Sequence, residues 1–299
     1  MEKTDAADNT AVAKLPRCSV VVVNFNGGEL LLESLAGILG STLPVEVILV
    51  DNASADGSAA QAQATHPRIQ LIQNTNNLGF AVAANQGLRA ASGDYLLLLN
   101  PDCILQPDTL EKMLGVLHSC PRVGMAGCRI LNPDGSEQRG CRRNLPTLGS
   151  GLRKAAGAQG DQAGVDLHQQ PLPDQPRLVE AVSGAFMLTR RTALEEVGLL
   201  DEQYFMHCED LDWCRRFQDY DWKILFVPQV EVIHHQGACS KATPIRVSWY
   251  KHRGMVRYFR KYLAAESGMF AAVVVIPGIY ARFLLLAMAS GIRKLAGRA

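Results

Sequence analysis

Cysteine pairs at C-x-x-C spacing are missing from this 299-residue chain, whose eight cysteines (18, 103, 120, 128, 141, 208, 214, 239) are scattered. A zinc ribbon and a disulfide framework are therefore disfavoured, and the thiols read as reduced, mostly buried small groups. The opening MEKTDAADNTAVAKLPR has no basic n-region and no apolar h-region, so it does not read as a secretory signal, and the body is expected in the cytoplasm. Also lacking is an unbroken apolar run of the ~20 residues that a spanning helix needs. Residues 268–292 come nearest, but Pro277 and Arg282 interrupt them, which predicts an interfacial or re-entrant segment.

Net charge is scarce as well, at +1, yet it conceals an asymmetry. Residues 241–299 hold eleven Lys or Arg against one acid, Glu266, so that segment is +10 and the rest is −9. A basic tail on an acidic body predicts an anionic partner, either nucleic acid or a cytoplasmic membrane face. With 47% hydrophobic and 20% charged residues the bulk is an ordinary folded protein, and its length predicts one core plus an appendage.

What is present begins as alternating strands and helices. CSVVVV at 18–23 and VEVILV at 45–50 are short apolar, β-branched runs, each ending on a polar residue, Asn24 and Asp51. Between them Leu31, Leu35, Ile38 and Leu39 recur at helical spacing, which makes a βαβ unit. Helices around 58–64 and 81–91 and strands at 69–73 and 95–99 continue the pattern. Such alternation predicts an α/β layer fold with a mainly parallel sheet, and the polar strand ends Asn24, Asp51, Asn100 and Asp102 should share one edge, where ligands bind. Residues 154–177 lack periodicity and predict a mobile loop. Beyond it come a strand-like VEAVSGAFMLTR, a helix from about Asp210, a strand at 223–227, a strand-like VEVI and the pair His234 and His235.

Chemistry is suggested at four places. Asn100 and Asp102 in NPDC follow the strand YLLLL; oxygen ligands spaced by one residue suit a hard divalent cation, though the same residues also favour a plain turn. Glu209, Asp210 and Asp212 precede a helix, where carboxylates cap and complement the dipole, but a cleft position would let Asp210 accept a proton. His234 or His235 offers an imidazole to a metal, or is an ordinary satisfied histidine. NTNNLGFAVAANQG at 74–87 supplies amides and a glycine before a helix, suited to phosphate or sugar hydroxyls, and lacks the glycine spacing of a dinucleotide fold or P-loop.

In order along the chain, VVVNFNG, VILVDNASADGS, NNLGFAVAANQG, LLLNPD, LNPDGSEQ, SGAFMLTRR, VGLLDEQYFMHCEDLDWCRR and VPQVEVIHHQGACS resemble glycosyltransferase family 2 enzymes of the GT-A fold, especially their bacterial rhamnosyltransferase-like branch. The resemblance implies a disordered 1–16, a catalytic domain at 17–245 with donor-binding (17–130) and acceptor-binding (131–245) parts, and a basic amphipathic and apolar helical tail at 246–299. It implies that Asn24 and Asp51 line the nucleotide base site, that Asn77, Gly79, Asn85 and Asn100 shape the nucleotide-sugar pocket, and that Asp102 holds Mg2+ or Mn2+. Asn100 stands where the family has a first acidic residue. His234 is the better match for the metal-proximal histidine, given its spacing to Gly237 and Ser240. Asp210, beside Glu209, matches the family's base, which implies a single inverting displacement.

The implied donor is dTDP-L-rhamnose and the implied acceptor a glycan or a polyprenyl-diphosphate-linked sugar, for cell-surface polysaccharide synthesis. The tail, with Val256, Phe259 and Leu263 on one face and Arg253, Arg257, Arg260 and Lys261 on another, then predicts peripheral attachment to the inner leaflet; its alternative is a helix that covers the catalytic domain while its charges stay solvated. Three rival readings remain. A sugar nucleotidyltransferase would need a glycine-rich basic signature near its start, which VVVNFNGGE lacks; a catalytically impaired carbohydrate-binding protein is suggested by Asn100; and nucleic-acid binding by the tail aromatics is disfavoured by the apolar segment that follows.

Overall fold

The structure, a computed structural model, describes residues 17–155, 164–237 and 244–295. The predicted disordered start and Ser240 lie outside the described residues. The first half runs β1 (Cys18–Asn24), α1 (Gly28–Leu39), β2 (Val45–Asp51), α2 (Ser58–Thr65), β3 (Gln70–Gln73), α3 (Phe80–Ala90) and β4 (Tyr95–Leu99). Then follow β5 (Cys103–Ile104), α4 (Thr109–His118), β6 (Val123–Leu131), β7 (Arg142–Arg143), α5 (Leu148–Ala155), β8 (Arg177–Val179), β9 (Ala181–Val182), β10 (Phe186–Arg190) and α6 (Arg191–Val197). The chain continues through α7 (Glu209–Asp219), β11 (Lys223–His234), α8 (Pro244–Tyr258), a π-helical turn (Phe259–Leu263) and α9 (Ala264–Leu295).

Alternate residues of β1 face two different cores, which is why the strand is apolar throughout. Cys18, Val20 and Val22 pack with Leu31, Leu35 and Ile38 of α1 and Met113, Leu114 and Leu117 of α4. Val21 and Val23 pack with Ala83, Ala84 and Leu88 of α3 and with Trp213 and Phe217 of α7. Each fully buried side chain of this size contributes roughly 1.5–3 kcal/mol, so helices on both faces are energetically obligatory.

The main sheet has the order β3-β2-β1-β4-β10-β6-β11-β5, with β8 also on β11. Its first four strands are parallel, as the alternation predicts. β10 is antiparallel to both β4 and β6, because the chain leaves the sheet after β6, makes the excursion through β7 and returns from the opposite end. The two short runs expected at 223–227 and around VEVI are one strand, β11, whose register against β6 shifts between Val227 and Glu231. Pro228 lies there and has no N–H to give the ladder.

Part of the predicted mobile loop is fastened. Residues 154–155 are the end of α5, and beyond 163 the chain is tied to β7 and its flanks by Asn144 N–H to Val165 O (2.8 Å), Leu167 N–H to Arg142 O (3.1 Å) and Arg139 to Asp166.

The tail reading needs a larger correction. Helix α8 and the π turn bury His252, Gly254, Val256, Tyr258 and Phe259 against the body. Arg257 and Lys261 are partly exposed but paired: both bind the Asp201 carboxylate (2.5 and 3.0 Å), and Lys261 also reaches Asp212 at 2.6 Å. Tyr262 donates to Asp212, Tyr250 stacks on Phe205 with centroids 4.0 Å apart, and Trp249 lies against Tyr280 and Phe283 of α9. A Cβ on Gly254 would meet His207 O at 2.6 Å, so glycine permits this close approach. The aromatics that suggested base stacking are thus committed to internal contacts.

Helix α9 turns sharply at Gly268 (φ 74°) and then runs on through Pro277. Residues Ala271–Gly291 have mean hydropathy 2.1 and are half-buried to exposed, none fully buried; by length and composition this stretch can cross a membrane, since 21 residues of helix span about 31 Å. The expectation that Pro277 and Arg282 break the segment is not met, because the helix continues past both.

Candidate active site

Strand register brings the predicted polar residues together. Asn24 and Asp51 end β1 and β2 as direct partners in the parallel ladder. Asn24 is fully buried, and its Nδ2 donates to Asp51 Oδ1 (2.9 Å), Ser54 Oγ (3.0 Å) and Ser58 Oγ (2.9 Å), while its Oδ1 accepts from Gly27 N–H. With its amide fully engaged, Asn24 orients Asp51. Asp51 also accepts from Ser54 N–H at 3.2 Å, so its carboxylate is held in place at the strand edge.

A second amide, Asn52, organises the 74–79 loop beside it. Its Nδ2 donates to Asn77 Oδ1 (3.0 Å) and Gly79 O (3.2 Å), and its Oδ1 accepts from Leu78 N–H (3.0 Å). Gly79 has φ 88°, and a Cβ there would lie 2.7 Å from Phe205 O. Glycine is needed so that Phe80 N–H can donate to that carbonyl at 2.7 Å, which locks the loop before α7 onto the start of α3. Asn85 is buried, gives Nδ2 to Leu200 O and Glu202, and takes Leu200 N–H on its Oδ1. It fastens the 200–202 segment to α3.

The cation-binding candidates meet because β5 pairs antiparallel with the end of β11, which sets His234 opposite Cys103. His234 Nε2 lies 3.1 Å from Asp102 Oδ1 and 3.3 Å from Asn100 Nδ2, and all but Asn100 are buried. His235 contributes only its main-chain N–H, to Asp102 O at 2.9 Å, so His234 is the histidine that faces the carboxylate. Gln138 completes the arrangement. Its Nε2 donates to Asn132 Oδ1 and His234 O, and with that assigned amide orientation Oε1 accepts from His234 Nδ1 at 2.6 Å. The proton is thereby held on Nδ1, and the Nε2 lone pair is directed at Asp102, a donor set that fits a divalent cation. Cys103 is near enough to join these ligands, but its Sγ donates to Ala185 O.

Asp210 stands at the head of α7, after two residues with positive φ, His207 (66°) and Cys208 (72°), that turn the chain into the helix. Gly184 lies against it, and the next residue, Ala185, accepts from Asn100 N–H. One step of backbone therefore separates the contact with Asp210 from the contact with the Asn100–Asp102 turn. Arg143 Nη2 reaches Asp210 Oδ2 at 2.5 Å and also donates to Val182 O. Burial by itself would raise the Asp210 carboxyl, but the charge and hydrogen bond of Arg143 outweigh it and hold the group below its ordinary value. Burial and then repulsion from Asp210 push Glu209 up to about 8.

Neither Gln138 nor Arg143 was singled out by sequence. Gln138 ends the string LNPDGSEQ without a visible role, and Arg143 lies 67 positions from its partner.

The sequence model of glycosyl transferase family 2 matches residues 19–198, the stretch that carries the strand-edge residues and the turn beside Asp210. The chain belongs to glycosyl transferase family 2. This glycosyltransferase is 30% identical over 239 residues to an N-acetylglucosaminyl-diphospho-decaprenol L-rhamnosyltransferase of Mycobacterium tuberculosis, covering 75% of this chain and 78% of the relative. It is 25% identical over 236 residues to the low-salt glycan biosynthesis hexosyltransferase Agl10 of Haloferax volcanii, covering 77% and 71%. Among solved structures, the mannosyltransferase PcManGT from Pyrobaculum calidifontis, in complex with GDP-Man and Mn2+, superposes with a TM-score of 0.58 at 19% identity, covering 94% of this chain and 81% of that one. Residues 1–349 of TarS from S. aureus give 0.54 at 14%, covering 82% and 72%. These structural likenesses bear on the fold alone, and the fold is GT-A, as the motifs imply.

Proposed function

We propose that this glycosyltransferase moves L-rhamnose from dTDP-L-rhamnose to a polyprenyl-diphosphate-linked sugar at the cytoplasmic membrane face, with inversion at the anomeric carbon. The observation that carries the reading is the buried Asp102–His234 pair at 3.1 Å, with its imidazole tautomer held by Gln138, beside a separate ionised carboxylate at Asp210. The 30% identical rhamnosyltransferase, named for a decaprenol-diphosphate acceptor, supports both donor sugar and acceptor class.

Asp51, oriented by Asn24, receives the base of the nucleotide, and the Asn52–Asn77–Gly79 loop shapes the donor pocket with Asn100. Asp102 and His234 would hold Mg2+ or Mn2+, which when bound neutralises charge on the departing nucleoside diphosphate. Asp210 accepts the proton of the acceptor hydroxyl as its oxygen bonds to C1 of the donor, and the C1–O bond to the diphosphate breaks. Because Asn100 brings no charge, Asp102 is the sole carboxylate of the pair with His234. The apolar, protein-free face of α9, with Val273, Val274, Leu285 and Met288 each more than 60% exposed, supports membrane association that delivers a lipid-borne acceptor to the cleft.

Full-length protein in vesicles, given dTDP-L-rhamnose, polyprenyl-diphospho-N-acetylglucosamine and Mg2+ or Mn2+, should yield a rhamnosylated lipid of inverted anomeric configuration by NMR. Turnover that survives Asp210→Asn, or a product that retains the donor's configuration, overturns the mechanism. A thermal shift seen only with another nucleotide sugar overturns the donor.

A further inference from the structure

The site described above uses Asp210 but leaves unexplained why two adjacent carboxylates and one guanidinium are buried together beneath it. We propose that Arg143 is a positioning residue for Asp210: from strand β7 its guanidinium anchors Oδ2, so that Asp210, and not its neighbour Glu209, is the charged group at the head of α7. This rests on the reading of Asp210 as the base.

The geometry is specific. Arg143 is held by the β7–β9 ladder, in which it pairs with Ala181, and its Nη2 bonds both Val182 O and Asp210 Oδ2. Its side chain is 13% exposed and that of Asp210 16%, so water screens the pair little. Asp210 Oδ1 lies 2.8 Å from Leu211 N, so each oxygen has a set direction. Glu209 receives less: it has its own main-chain N–H and the charge of Arg143 without a bond to it, and its Oε2 is buried with no hydrogen-bond partner among the described residues. Two carboxylates side by side cannot both ionise cheaply in such a place, and the one that faces the fixed cation takes the charge. The other groups around the pair are Asp212 and Cys214 on α7, His207 and Cys208 in the preceding loop, Lys251 on α8 and Asp166 beside β7. Of these only Lys251 is a permanent cation, and it acts on His207 and Cys208, so Arg143 is the group that separates the two carboxyls. The consequence for the reaction is a proton acceptor that is ionised and aimed before substrate arrives, with an unionised carboxyl next to it.

The test follows the carboxyl 13C signals of full-length protein in detergent through a pH titration, with Asp210 identified by its loss in Asp210→Asn and Glu209 by its loss in Glu209→Gln. In the native protein Asp210 should titrate below the ordinary carboxylate range and Glu209 well above it. In Arg143→Met the Asp210 midpoint should rise by about one unit or more, and the acid limb of kcat should move up with it while KM for dTDP-L-rhamnose stays the same. Arg143→Lys, which restores a point charge, should bring the midpoint back down. A native Asp210 that titrates at or above the ordinary range overturns the inference without any variant, and so does a folded Arg143→Met with an unmoved midpoint. Activity that persists in Asp210→Asn instead defeats the base assignment, while the carboxyl titrations still report on Arg143.

Discussion

Replacing Glu209 by Gln should stabilise this glycosyltransferase in neutral and alkaline solution and change little at pH 5. The side chain is buried, one oxygen lacks a partner among the described residues, and the next residue is the ionised Asp210. Burial first, then that repulsion, lift the carboxyl from 4.5 to about 8. The folded chain therefore keeps a proton that the unfolded chain releases, and stability falls as pH rises. The Glu209 contribution is fully present below about 4.5 and is lost as pH climbs through about 8. At ~1.4 kcal/mol per tenfold change in proton affinity, the whole interval corresponds to roughly 5 kcal/mol. Relaxation of the loop and entry of water reduce this to an expected cost on the order of 2–4 kcal/mol at pH 9. Gln has the same shape and no charge to bury, so the variant escapes that loss. With an unfolding entropy of ~0.6 kcal/mol per degree for a chain this long, the Tm of Glu209→Gln relative to the parent should rise by about 3–7 °C between pH 5 and pH 9. Differential scanning fluorimetry in one detergent across that range reads it directly. A difference that stays flat with pH would refute the assignment of the proton to Glu209.

Three other outcomes are expected. Gln138→Leu removes the acceptor for His234 Nδ1 and should weaken Mn2+ binding about 10–100-fold, read by electron paramagnetic resonance of free Mn2+; unchanged affinity would remove His234 from the ligand set. Gly79→Ala forces a side chain into a φ of 88° and against Phe205 O, and should cost about 2 kcal/mol or more, seen as a Tm lowered by ~3 °C or more; an unshifted Tm would show that the 200–205 segment yields freely. Asp201→Asn should loosen α8 at neutral pH, measured as faster amide hydrogen exchange over residues 244–263. Burial would raise the Asp201 carboxyl, but hydrogen bonds from Arg257 and Lys261 hold it low. Its contribution in the native protein is thus present above the ordinary carboxylate value of ~3.9 and is lost only as pH falls through the lower folded value. Exchange in native α8 that quickens already at pH 6 would contradict this.

Much of the architecture was legible because it depends on local pattern. Apolar runs such as CSVVVV and YLLLL, separated by helical spacing, can be buried only as parallel strands with helices on both faces. Their polar ends must then share an edge, and Asn24, Asp51, Asn100 and Asp102 do so. The family motifs pointed to His234 and Asp210 as candidates, and each sits at the end of a recognisable strand or the start of a helix.

What the tertiary structure alone decided are contacts between residues distant in sequence. The antiparallel insertion of β10, the pairing of β5 with the end of β11 and the Arg143–Asp210 pair depend on where the chain returns after long excursions, and no local periodicity encodes a return. The same holds for buried amides: only their neighbours show that Asn24 and Asn85 are engaged in the scaffold. Helix α8 makes the point for charge. Arg257 and Lys261 read as a basic surface in sequence, and they are the counterions of Asp201 and Asp212 because the fold carries those two acids beneath them.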